Sequence, residues 1–115
     1  MKLRGLDLDD LVVLAMLGDD ISVTKIGHYL YITQPAVSQR IRKIEDLLGI
    51  KIVYRNSRSL KLTRDGNTVS AAAKQSLVML MHSIPNPLSN GRSNPLVDYI
   101  LSISRNGTAN ECYDS

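Results

Sequence analysis

The chain has 115 residues, the length of one domain with a single modest core, and is a tight fit for an enzyme with a deep pocket. Apolar residues make up 43% of it with five Tyr and no Phe or Trp, so aliphatic side chains must fill the core, which favours a helical or mixed domain over a β-sandwich. The formal charge of +3 is uneven, because residues 34 to 64 hold eight basic and two acidic side chains while both flanking segments are net acidic.

The N-terminus, "MKLRGLDLDD", meets acidic residues before a signal-peptide core could form, and the longest clean apolar run, "LVMLM", is far short of a membrane span. Asp7 can cap a first helix over "LDDLVVLAMLG", with Asp10 three residues on and both carboxylates near the positive helix end. Leu8, Leu11, Val12 and Ala15 form its expected core stripe, and Gly18 ends it. Ser22 or Thr24 can cap a short second helix through "KIGHYL", with Ile26 and Leu30 facing inward. "YIT" turns the chain. Thr33 then caps a third helix with Pro35 in its first turn, where a missing N–H costs nothing.

In that third helix Val37, Ile41, Ile44 and Leu48 recur at steps of four, three and four and define the buried face. Gln34, Ser38, Arg42 and Glu45 fall on the opposite side, flanked by Gln39 and Lys43, and Gly49 supplies the stop. Two short helices joined by a tight turn, the second with Gln, Ser and Arg on its free side, describe a helix-turn-helix whose candidate partner is the major groove of double-stranded DNA. "IKIVYR" and "LKLT" alternate at period two around "NSRS", a β-hairpin wing with Arg55 and Arg58 at its tip. Thr63 can cap a fourth helix from about Arg64 to Ile84, stopped by "PNP". The polar, Pro- and Gly-punctuated "PNPLSNGRSNP" is a linker, "LVDYILSIS" has apolar residues for one short helix or strand, and the remainder reads as frayed.

Residues 22 to 66, with "TQPAVSQRI", "IE", "LG", Arg55 and "LTRDG" at matching spacing, resemble the DNA-binding domain of LysR-type transcriptional regulators. Departures are Ile26-Gly27 for the family's paired alanines, Ile52-Val53 for its Leu-Phe and Asp65 for the Ala before the closing Gly. The family continues into a two-lobed effector-binding domain, whereas residues 85 to 115 are all that follow here, so no small-molecule inducer is expected. The implied fold is mainly α: a winged helix-turn-helix over residues 1–63, a long linker (dimerisation) helix over 64–84, and a linker with short tail over 85–115.

By resemblance, Gln34 hydrogen-bonds a base edge, Pro35 and Ala36 meet thymine methyls, Ser38 and Gln39 reach bases or phosphates, and Arg42 meets the backbone or a guanine. Thr24 and Thr33 would hold phosphates, and Arg55 and Arg58 would enter the minor groove. The alternatives are capping alone for Thr24 and Thr33, a solvated surface for Arg42 and Lys43, and for Arg55 a salt bridge to Glu45 or Asp46. On the fourth helix Val69, Ala73, Leu77, Leu80 and Ile84 form an apolar stripe that Met81 and its neighbours widen, and by resemblance it packs on its copy in a homodimer. The alternative is a helix folded onto its own domain.

His28 and His82 stand alone with no second ligand at metal spacing, and no phosphate loop and no nucleophile with a base is found, so no metal, cofactor or enzymatic activity is expected. The lone Cys112 has no internal disulfide partner, which fits a cytoplasmic protein that associates with the nucleoid when bound to DNA. The leading expectation is a dimeric, sequence-specific transcriptional regulator without a sensing domain. Its competitor is an interaction protein that pairs with a full-length LysR-type chain and modulates it.

Overall fold

The computed structural model describes residues 4–55, 60–85, 98–100 and 102–103. Within them the order is α1 (Leu8–Gly18), α2 (Val23–Leu30), α3 (Gln34–Leu48), β1 (Val53–Tyr54), β2 (Lys61–Leu62) and α4 (Arg64–Ser83). Each helix starts where a short polar side chain can take an orphan N–H. Asp7 accepts from Asp10 N–H in a reciprocal capping box, Ser22 from Lys25, Thr33 from Ala36 and Thr63 from Gly66. Ser22, not Thr24, therefore caps α2. Gly49 closes α3 at φ 70°, the left-handed region where a side chain is strained.

α1 is the central rod. α2, α3 and α4 all touch it, α4 most extensively, so Val12 to Leu17 are buried around the whole circumference instead of along one stripe. Leu8, expected inside, lies before this enclosure and is 55% exposed. Ile26 from α2, Val37, Ile41 and Ile44 from α3, and Ile52 and Val53 from the wing complete the aliphatic core.

The wing is an antiparallel pair with Val53 opposite Leu62 and Tyr54 opposite Lys61. The period-two alternation expected of "IKIVYR" breaks here: Ile52 and Val53 are both buried, and Tyr54 is exposed. The paired part is only two residues per strand: one further cross-strand bond joins Thr63 to Ile52, but the N–H groups of the first strand there turn to Glu45 instead of to the partner strand. The Ile52 and Val53 N–H groups donate to Glu45, and the Thr63 N–H and hydroxyl donate to the Ile52 carbonyl. The first turn of α4 then presses so close to this strand that a Cβ on Gly66 would lie 2.1 Å from the Ile52 carbonyl oxygen.

α4 corrects one expectation in part. Ala73 and Leu77 are 2% and 3% exposed in the chain's own core, and Val69 and Met81 are half-buried against it, because this side of α4 lies on α1. Of the predicted dimer stripe Leu80 and Ile84 remain exposed at 42% and 43%, joined by Met79 at 71%. Residues 98–100 and 102–103 are helical, and their Tyr99, Ile100 and Ile103 are buried in the same core, with the Tyr99 hydroxyl donating to Asp19 at 2.8 Å and its ring 5.9 Å from that of Tyr29. Burial and the Asp19 carboxylate both oppose ionisation and push the Tyr99 phenol far up. "LVDYILSIS" thus contributes apolar residues to this domain.

Candidate nucleic-acid interface

The apolar side of α3 is spent on the core, which turns Gln34, Pro35, Gln39 and Arg42 outward with Ala36 and Ser38 half-buried at the rim. The turn before it is tight: Tyr31, the C-cap of α2, takes the left-handed conformation at φ 58° and the Ile32 N–H donates back to the Gly27 carbonyl at 2.9 Å. That turn brings the start of α2 beside the start of α3, where the Thr24 hydroxyl lies 3.4 Å from the Gln34 side-chain oxygen.

Between these helix starts and the wing runs a groove of about 620 Å³. Thr24, Gln34, Ser38, Arg42 and Arg55 line its polar wall, Leu17, Ile21, Val23, Val53, Leu60 and Leu62 its apolar one, and Asp20 is the acid in the lining. Five of the ten sequence-predicted contact residues are therefore gathered on one concavity. Pro35, Ala36 and Gln39 lie on the same first turns of α3 but outside the lining, and Thr33 is occupied as the N-cap, its hydroxyl accepting from the Ala36 N–H at 3.2 Å. Arg58 lies outside the described residues.

Charge within the basic third divides sharply. Arg40 donates to Asp7 and Asp10 at 3.0 and 2.8 Å, and Lys43 reaches Asp10 at 2.7 Å. Arg55 pairs with Glu45 at 2.8 Å, so the alternative of a salt bridge holds for it, although it also faces the groove. Glu45 corrects an expectation: helical spacing puts it with the free face of α3, but it is buried, because the strand after Gly49 folds back over it. Burial alone would raise its carboxyl, but the Ile52 N–H, the Arg55 guanidinium and the Val53 N–H outweigh that and hold it below the ordinary range. Arg42, Lys25, Lys51, Lys61 and Arg64 are exposed and make no ion pair among the described residues.

Sequence reasoning missed Asp10 and Arg40. Asp10 is 0% exposed, an acid held inside only because two cations and the Asp7 N–H meet it. The capping spacing of Asp7 and Asp10 was visible, but their cationic partners lie some thirty residues away, beyond the reach of a local pattern.

A family model described as bacterial regulatory helix-turn-helix protein, lysR family, matches residues 8–67, the segment from α1 through the wing into α4. The chain belongs to the lysR family. An uncharacterised helix-turn-helix-type transcriptional regulator of Bacillus subtilis, YraN, is 31% identical over 72 residues, 63% of this chain and 25% of that protein. The glycine cleavage system transcriptional activator of Escherichia coli K12 is 44% identical over 48 residues, 42% of this chain and 16% of that protein. This LysR-type chain thus spans a quarter or less of the length of these two relatives. Among solved structures, the BenM DNA-binding domain in complex with benA site 1 DNA superposes with a TM-score of 0.60 at 30% identity, covering 76% of this chain and all of that one. Full-length BenM superposes with a TM-score of 0.58 at 31% identity, over 65% of this chain and 25% of that one. The described residues are a LysR-type winged helix-turn-helix, a DNA-binding domain of transcriptional regulation. No helix among them is long and apolar enough to cross a membrane.

Proposed function

We propose that this chain is a sequence-specific transcriptional regulator that binds duplex DNA as a homodimer, the first turns of α3 entering the major groove and the wing lying on the neighbouring minor groove. The observation that carries this is the groove itself: Gln34, Ser38 and Arg42 share it with Thr24 and Arg55, and Arg42 has no carboxylate partner among the described residues. Gln34 has the bidentate amide that suits an adenine edge, while Pro35 and Ala36 suit thymine methyls. Ser38, Gln39, Thr24 and the N-terminus capped by Thr33 supply phosphate and rim contacts. Arg55 and Arg58 serve the wing, with Arg55 held in place by Glu45. The likeness to a DNA-binding domain named in complex with DNA supports duplex DNA as the partner.

The exposed Met79, Leu80 and Ile84 on the outer side of α4 form the dimer seam. The same seam fits the matching helix of a longer LysR-type chain, and light scattering of the purified protein, alone and mixed, separates the two pairings. The protein works in the cytoplasm on the nucleoid, and the amide, hydroxyl and guanidinium groups of the groove can meet bases and phosphates directly.

Selection of bound fragments from a pool of randomised duplexes tests this directly. A twofold dimer is expected to enrich an interrupted palindrome with half-sites about one helical turn apart. Gln34→Ala is expected to relax one base position per half-site. Equal affinity for all duplexes, or an unchanged preference profile in Gln34→Ala, would place the contacts elsewhere.

A further inference from the structure

Arg40 and Lys43 stand one turn apart on α3, so both project to the same side of the helix. That side faces the N-terminus of α1, not the groove: neither residue lines the concavity. Both grip one carboxylate from opposite sides, Arg40 on Asp10 Oδ1 at 2.8 Å and Lys43 on Asp10 Oδ2 at 2.7 Å. Asp10 is fully buried and cannot shift, because its Oδ2 also accepts the Asp7 N–H at 3.1 Å within the capping box of α1. Asp7 adds a second bond to Arg40 at 3.0 Å, and Asp9 lies 3.7 Å from it.

The apolar side of α3, Val37, Ile41 and Ile44, fixes how far the helix sits from α1. Aliphatic contacts are non-directional and tolerate a small roll or slide of a helix in its bed. Charged hydrogen bonds do not, because they weaken steeply with angle. A slide by one residue moves a helix about 1.5 Å, close to half the base-pair rise of about 3.4 Å, which suffices to misalign an amide with a base edge. Two donors one turn apart on a single immobile acceptor resist both roll and slide.

We infer, on the assignment of α3 as the reading helix, that Asp10, Arg40 and Lys43 form an ionic bracket that sets the roll and register of α3, making Arg40 and Lys43 positioning residues for sequence readout and not phosphate contacts. Loss of the bracket lowers the difference between right and wrong DNA while leaving the attraction to any duplex intact.

The full chain with Arg40→Gln is compared with wild type on its selected site and on a shuffled duplex of equal composition, across a salt series. This variant leaves Asp10 bound to Lys43 and to the Asp7 N–H. The preference for the selected site is expected to fall about tenfold, the value of roughly one base contact, with affinity for the shuffled duplex changed less than about twofold. The slope of log affinity against log salt is expected to stay the same. A phosphate contact would instead weaken both duplexes alike and flatten the slope by about 0.9, which would overturn the assignment. An unchanged preference ratio would also overturn it, leaving the apolar side as sufficient. Should Arg40→Gln unfold, Lys43→Gln, at a side chain 40% exposed, carries the same expectations in reduced degree. Wild-type protein without any preference would sink the assignment of α3 itself and the bracket with it, whereas a selective wild type with an equally selective Arg40→Gln would sink the bracket alone.

Discussion

Replacing Glu45 by Gln tests how the wing is fixed to α3. Three donors converge on this buried carboxylate: the Ile52 N–H at 2.8 Å, the Val53 N–H at 3.3 Å and Arg55 Nη2 at 2.8 Å. A neutral amide of the same shape keeps a weaker bond to the backbone but turns an NH2 group toward Arg55 or surrenders one N–H. A hydrogen bond to a charged group contributes about 1 kcal/mol more than a neutral one, and the Arg55 pair, with the arginine side chain 30% exposed, is discounted for solvent screening. The expected destabilisation is about 2 kcal/mol, or roughly 10 °C in melting temperature for a domain of this size. Thermal unfolding followed by circular dichroism reads it. The carboxyl is depressed in the folded state from its ordinary value of 4.5, so the stability it contributes is fully present above that pH and is lost as pH falls through the folded value. The gap between wild type and Glu45→Gln should therefore be widest near neutrality and close in acid. A gap that stays constant into acid would mean that the carboxylate charge does not hold the wing.

The two sides of α4 should separate cleanly: Leu77→Ala is expected to cost about 3 kcal/mol of fold stability, whereas Leu80→Asp should leave the melt within about 0.5 kcal/mol of a monomeric reference yet yield monomers by light scattering. Gly66→Ala drives a Cβ against the Ile52 carbonyl and is expected to destabilise by about 3 kcal/mol in urea titration; a neutral outcome would mean that α4 can lift from the wing at no cost. Because Arg40, Lys43 and Arg55 are held by carboxylates, at most five of the eight cations in residues 34 to 64 are free for phosphate, giving a salt slope no steeper than about 4.5 per half-site from that segment. A slope near 7 would require the ion pairs to open on DNA.

What was legible in the sequence is what is decided locally. Asp7, Thr33, Thr63 and Gly49 mark helix ends within a few residues of the groups they satisfy, and all four act as expected. The period of α3 separated Val37, Ile41 and Ile44 from Gln34, Ser38 and Arg42 for the same reason. Glu45 defeated that period because a helix wheel knows nothing of the strand that later folds over its last turns. α4 shows the other limit. Its stripe was wide enough to be noticed, but an apolar side chain that packs on α1 and one that packs on a second chain are chemically alike, so Ala73 and Leu77 could not be told from Leu80 and Ile84 without the fold.

The charge of α3 follows the same division between local pattern and distant partner. A helix that reads bases needs one side for the core, one for the DNA and a means of holding the angle between them. Hydrophobic contact alone supplies the first but fixes the angle loosely, and cations placed on the reading side would be drawn to any phosphate. Here Arg40 and Lys43 are turned to an acid that α1 has already immobilised, Arg55 is tied to Glu45, and Arg42 is left on the groove without a partner among the described residues. The high density of basic residues is thus two populations that composition counts as one: cations that fix where the helix lies, and cations that remain free to meet a polyanion. Only the second group contributes to the field that a duplex feels at a distance, while the first determines what the helix can distinguish on arrival.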